Sequence, residues 1–139
     1  MKIRGLDNLA RKLEALGGNT KQTITKSMDD VATFVRDDAR IRCPVDTREL
    51  RQSINKEVKV DGDHILGNIG TSQDYAIYVE MGTGQKGEAT NTYPGIEFRQ
   101  DWVGQPAQPY MYPALKDNEE QIEKKFVKDM QKEIRRLTV

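Results

Sequence analysis

Four sets of residues in this chain have types or spacings that could do chemistry. Gly82-Thr83-Gly84 is a glycine-rich turn of the kind that can cradle a phosphate. It lacks the further glycine of a dinucleotide fingerprint and the Gly-Lys-Ser/Thr ending of a nucleotide loop, so phosphate binding is not expected of it. Cys43 is the one cysteine and His64 the one histidine. A thiol nucleophile needs a base beside it, and nothing in the spacing brings this pair together. Neither residue sits in a metal-ligand pattern, and one cysteine cannot close an intramolecular disulfide. Asp46 with Glu49, and Asp74 with Glu80, are the remaining acid pairs that could share a proton-transfer task. The first pair has the spacing of a helix cap, and the second lacks a partner pattern. No catalytic residue, cofactor or metal ligand is therefore assigned, and an enzyme is not expected.

Composition narrows the classes further. The chain has 139 residues, 36% hydrophobic and 32% charged, which predicts one domain with a modest core drawn from a few amphipathic elements. The 22 basic and 22 acidic residues cancel. A balanced chain lacks the basic footprint of a protein that holds nucleic acid by neutralising phosphates. No secretory h-region and no apolar run near the ~20 residues of a membrane span is present, so a soluble protein made in a cytoplasm, without membrane contact, is expected.

The elements that would position these residues follow from periodicity. Leu6, Leu9, Ala10, Leu13 and Leu16 share one helical face, with Asp7 as the expected cap and Gly17-Gly18 as the stop. Asn19 and Gln22 have capping-box spacing, and Ile24, Met28, Val31, Val35 and Ala39 then trace a stripe up to Pro44. Phe34 lies a quarter-turn off that stripe and is placed in the core. Asp46 caps a single turn ending near Ser53. Ile54, Val58 and Val60, then Ile65, Gly67 and Ile69, alternate around Asp61-Gly62, which predicts a hairpin. A lone hairpin is marginal in water, so its apolar face must lie on the second or the last helix. After Pro113, Leu115, Ile122, Phe126, Val127, Met130, Ile134 and Leu137 predict one long helix, on the order of 35 Å at 1.5 Å per residue. Its acidic start and basic end suit the helix dipole.

Between hairpin and last helix the chain changes character at Thr71–Gly84, T-S-Q-D-Y-A-I-Y-V-E-M-G-T-G. Ser72 or Asp74 can cap a short helix carrying Tyr75, Ala76 and Val79, and Gly82 ends it. Residues 82–109 are rich in glycine and proline and poor in apolar side chains. A stretch that long is functional or disordered. It is expected to be flexible in the free subunit and ordered by partners, with Ile96, Phe98 and Trp102 as a weak third strand. Tyr75, Tyr78, Trp102, Tyr110 and Tyr112 are the candidate interface residues, since Tyr and Trp suit a surface buried by a partner. Tyr75, Tyr78 and Trp102 can serve alternatively as core anchors.

Three runs taken in order carry a resemblance: P-V-D-T-R-E-L-R-Q-S-I at 44–54, D-Y-A-I-Y-V-E-M-G-T-G at 74–84, and Q-P-A-Q-P-Y-M-Y-P-A-L at 105–115. With the start G-L-D-N-L-A-R-K-L-E-A-L, they resemble the small head-tail joining proteins of long-tailed bacteriophages and prophages, called neck, tail-completion or minor tail proteins. Arg48 departs from the glycine common there, which bears on the tightness of that turn. The resemblance implies an α+β virion subunit with two N-terminal helices, a hairpin extended into a small sheet, a short helix, a long loop and a long C-terminal helix. It further implies a homo-oligomeric ring at the head-tail junction, contacting head-closure or connector proteins and tail tube or tail-terminator proteins. Phage DNA would pass through such a ring without specific recognition. A tail-terminator-like cap and a nucleic-acid-binding regulator are the alternative readings.

Overall fold

Capping chemistry written into the sequence sets the first two helices. The computed structural model describes residues 3–44, 48–88 and 97–138. Helix α1 spans Leu6–Ala15, and Gly5, at φ 79°, occupies its N-cap position without a side-chain bond. Asp7 therefore lies inside the first turn, where it meets the positive end of the dipole rather than capping it. At the other end Gly17 takes φ 83°, with Gly17 N–H donating to Glu14 O and Gly18 N–H to Leu13 O. Those two bonds make a Schellman stop. Helix α2, Thr20–Arg42, begins where Asn19 Oδ1 accepts the Gln22 N–H at 3.0 Å, the expected cap.

Helix α3, Arg48–Ser53, leads into strands β1, Asn55–Asp61, and β2, His64–Gly70, which pair as a two-stranded hairpin. Gly62, at φ 58°, occupies the first of the two turn positions, where a type II′ turn needs glycine. Helix α4 is Ala76–Met81, followed by a 3-10 turn at Gly84–Lys86, helix α5 at Met111–Lys116 and helix α6 at Glu119–Thr138. This is the α+β arrangement expected.

Several local expectations are corrected. The last helix is two helices, because α5 closes with Asp117 N–H on Pro113 O and a separate start at buried Asn118 receives the Ile122 N–H. Leu115 consequently falls off the buried stripe and is 50% exposed. Phe34 is 46% exposed, its quarter-turn offset having carried it off the buried face. No strand forms among the described residues 97–109, and Ile96 lies outside the described residues, as does Asp46. Arg48 opens α3 at ordinary angles, since no described non-glycine residue has a positive φ.

The chain divides into two compact units. One comprises Met1–Phe34, Lys56–Asn68 and Asn118–Val139. Its core joins Leu13 to Met130 and Ile134, with Leu6, Leu9, Ala10, Ile24 and Leu137 packed around them. Gly18 allows this closeness, since a Cβ there would come within 2.8 Å of both Leu13 and Leu137. The hairpin lies on α2, as expected: a Cβ at Gly67 would stand 2.6 Å from Met28 Sδ. Lys56 also pairs with Asp29. Between α2 and α6, buried Ser27 donates to Asp129 at 2.7 Å, and Lys125 bonds Asp129 at 3.0 Å. That hydrogen bond to Asp129 holds the Lys125 ammonium above its ordinary range. A raised lysine contributes stability throughout the neutral range and loses it only on strong alkalinisation.

The other unit comprises Val35–Asn55 and Ile69–Asp117. Arg40 donates through Nε and Nη2 to Ile54 O, at 3.0 and 2.6 Å, and Arg51 Nη2 donates to Cys43 O at 2.7 Å. Two arginines thus donate to carbonyls at the ends of α2 and α3. Ser53 and Thr71 share a short hydroxyl–hydroxyl bond.

Truncating the α6 stripe should be costly. Phe126→Ala or Met130→Ala is expected to destabilise the fold by about 2–5 kcal/mol in chemical denaturation, while Phe34→Ala costs a small fraction of that. Equal losses for Phe34 and Phe126 would place Phe34 in the core after all.

Candidate functional site

The six residues of α4 form too short a helix to stand alone, and a carboxylate holds it in place. Ser72 and Asp74 do not cap it; Tyr75 occupies the N-cap position, and no side-chain cap bond is made. Anchoring comes instead from Glu80, which is only 4% exposed. Its Oε2 accepts the N–H groups of Tyr110 and Met111 at 2.8 and 2.9 Å, and its Oε1 accepts that of Tyr112 at 2.9 Å. These amides begin α5, where no intrahelical acceptor exists for them. A negative charge there satisfies three donors and meets the favourable end of the dipole. Tyr110, fully buried at 1% exposure, returns the contact by donating its hydroxyl to Ala76 O at 3.3 Å.

Beyond α4 two segments cross at backbone distance. Thr83 N–H donates to Gln105 O, Gln85 N–H to Trp102 O and Gln108 N–H to Val79 O, each at 2.9 Å, while Thr83 Oγ1 accepts the Gln105 N–H. Glycine is what lets the two main chains approach. A Cβ on Gly104 would lie 1.9 Å from Thr83 O, and one on Gly84 2.5 Å from Trp102 O. Gly84 and Gly104 also hold φ values of 59° and 74°. The Gly-Thr-Gly run is therefore the floor of a main-chain crossing.

That crossing frames an apolar groove of about 180 Å³ between α4 and the segment around Trp102. Ile77, Tyr78 and Met81 line it from the helix, and Phe98 and Trp102 from the loop. Phe98 seats its ring where a Cβ on Gly87 would stand, 2.0 Å from the ring. Tyr78 and Trp102 remain 59% and 52% exposed, and Val103 beside them 57%. On the rim Arg99 pairs with Asp101 at 2.7 Å, which raises the guanidinium and lowers the carboxyl, so both stay charged.

Of the five interface candidates, Tyr78 and Trp102 are thus brought together at one groove. Tyr75 and Tyr112 are half-buried near the α4–α5 junction. Tyr110 is a correction: its ring is core, because the residue that starts α5 is drawn inside by Glu80. Sequence reasoning named Glu80 only as a possible acid partner of Asp74 and missed its anchoring role, whose only signal was a carboxylate on an otherwise apolar turn. It also missed Ile77 and Met81 as groove residues. The remaining chemical candidates are scattered: Cys43 is 2% exposed, while Glu49, His64 and Asp74 are exposed. Among the described residues no three His, Cys, Asp or Glu side chains are placed to hold a metal ion. No described helix is long and apolar enough to cross a membrane.

Gly104→Ala should destabilise the protein by more than about 1 kcal/mol, because the new methyl meets a carbonyl at a positive φ. Gly70→Ala, with open space around it and no positive φ, is the control and should be near neutral. Indistinguishable melting temperatures for the two variants would mean that the crossing is not tight.

Residues 7–82, more than half of the chain, match the family model described as "Bacteriophage HK97-gp10, putative tail-component". The matched span runs from α1 through Gly82 and so includes Tyr78 and Glu80, while Trp102 and α5 lie beyond it. Neither a curated protein nor a solved structure matches the chain. On the family match, supported by the three residue runs and the α+β fold, the chain belongs to the HK97-gp10-like family of bacteriophage tail components.

Proposed function

We propose that this chain is a non-catalytic structural subunit of a tailed-phage or prophage virion, multimerising into a ring at the head-tail junction that joins the tail to the DNA-filled head. The observation that carries the reading is the pair of half-exposed aromatics, Tyr78 and Trp102, held at one groove by a hydrogen-bonded frame. Large aromatics contribute most to binding when a partner buries them, and a preformed frame lowers the entropy lost on docking. In a ring the same contact recurs at every subunit, so a small loss per contact becomes a large loss for the assembly. The partners on this reading are further copies of the chain, head-closure or connector proteins, and tail tube or tail-terminator proteins. The balance of 22 basic and 22 acidic residues suits a ring through which DNA passes without being recognised. Assembly would take place in the cytoplasm of the bacterial host.

A terminator-like cap on the tail tube is a close alternative that fits a tail component equally. The two readings differ in what is left when the protein is lost. Deletion, or Tyr78→Ala with Trp102→Ala, is expected to leave DNA-filled heads and finished tails that do not join, counted by electron microscopy of lysates. The doubly substituted protein should keep its helical circular dichroism. Tails of uncontrolled length would favour the cap, and normal numbers of infectious particles would exclude both roles.

A further inference from the structure

The unit built from Met1–Phe34, Lys56–Asn68 and Asn118–Val139 carries two exposed surfaces of opposite charge. The first is a shallow groove between the start of the chain and α6. Ile3 and Val127 supply its apolar floor, Arg4, Lys124 and Lys128 its cations, and Glu123 its one carboxylate. Lys124 is paired with Glu120 at 3.1 Å, whereas Arg4 and Lys128 have no described carboxylate within pairing distance. The second surface is the tip of the hairpin. Asp61 and Asp63 flank Gly62 there, both are exposed, and neither pairs with a described cation. Lys59 and Glu57 behind them neutralise each other at 3.5 Å. Val60 and Leu66, close to the turn, are 46% and 50% exposed.

We propose that the hairpin turn of one copy docks in the α6 groove of a second copy, with Asp61 and Asp63 facing Arg4 and Lys128 and Val60 covering Ile3 and Val127. The occupant is argued from charge complementarity: a chain of zero net charge carries, on one folded unit, an unpaired acidic knob and an unpaired basic groove. Knob and groove are different patches, so the contact is head-to-tail and repeats from copy to copy, closing as a ring when the rotation allows. An apolar floor and the acid Glu123 suit a protein knob better than the phosphates of a nucleic acid. This inference rests on the ring reading above and names the contact that builds it.

Two charge-reversed variants test it in the full-length protein: R4E/K128E, with an acidic groove, and D61K/D63K, with a basic tip. Mass is followed by sedimentation velocity across concentration, at low and high salt, with circular dichroism confirming that all forms are folded. The wild type should associate with rising concentration, and salt should weaken it. Each variant alone should remain monomeric, because its own tip and groove repel. An equimolar mixture should associate again, since both cross-contacts are then attractive. A wild type that stays monomeric throughout, variants that associate as the wild type does, or a mixture that stays monomeric would each overturn the contact. Binding of a short DNA duplex by the wild type that is lost in R4E/K128E, without self-association, would assign the groove to phosphate and overturn it too. Association indifferent to charge reversal sinks only this contact and leaves the ring standing. A virion that forms normally without the protein sinks the ring whatever the variants do.

Discussion

A carboxylate buried at the start of a helix organises the second unit of this protein. Glu80 brings a full negative charge into the interior, which would be prohibitive without partners, and three main-chain N–H groups at 2.8–2.9 Å supply them. Those amides need an acceptor for the same reason that Glu80 needs donors. The bargain fixes α4 against α5, draws Tyr110 into the core and closes the ends of the segment between them. Neutral side chains do not substitute well, because an amide offers only one acceptor where the carboxylate offers two. An apolar side chain offers none, and three buried donors would be stranded.

With its two ends fixed, the described part of the segment after α4 is ordered by main-chain pairing rather than by a core. Gly82, Gly84 and Gly104 remove the β-carbons that would hold the two segments of the crossing apart. The side chains that remain point to a surface, and the apolar ones collect at a groove between Tyr78 and Trp102. A frame that rests on backbone bonds can display exposed aromatics without collapsing around them. That property suits a component of a phage tail, the family to which the chain belongs.

Elements governed by local periodicity were legible in the sequence. Asn19 and the Gly17-Gly18 stop placed α1 and α2, and the alternation around Asp61-Gly62 placed the hairpin, with α2 or the last helix as its support, of which the structure shows α2. What escaped reading was non-local. Glu80 and its amides are 30–32 residues apart, and three of those four groups are anonymous main chain. The crossing of Thr83 with Gln105 is likewise backbone to backbone, with no side-chain signature except glycine. For the same reason Tyr110 read as a surface aromatic, since only the carboxylate that pulls its N–H inward reveals it as core. The break at Asp117-Asn118 was hidden by apolar periodicity that continues on either side of it while shifting phase. Of the groove, Tyr78 and Trp102 were legible as large amphipathic rings, whereas Ile77 and Met81 look like any short-helix core residues.

Amide hydrogen exchange of the wild type and Glu80→Gln, resolved to single residues, tests the anchor most directly. In the wild type the Tyr110, Met111 and Tyr112 amides should be among the slowest of the second unit. In the variant those three should exchange much faster, and Thr83, Gln85 and Gln105 should follow, while the α6 amides from Phe126 to Ile134 keep their rates. Rapid exchange at 110–112 in the wild type, or unchanged protection there in Glu80→Gln, would contradict the claim that one buried carboxylate holds this unit together.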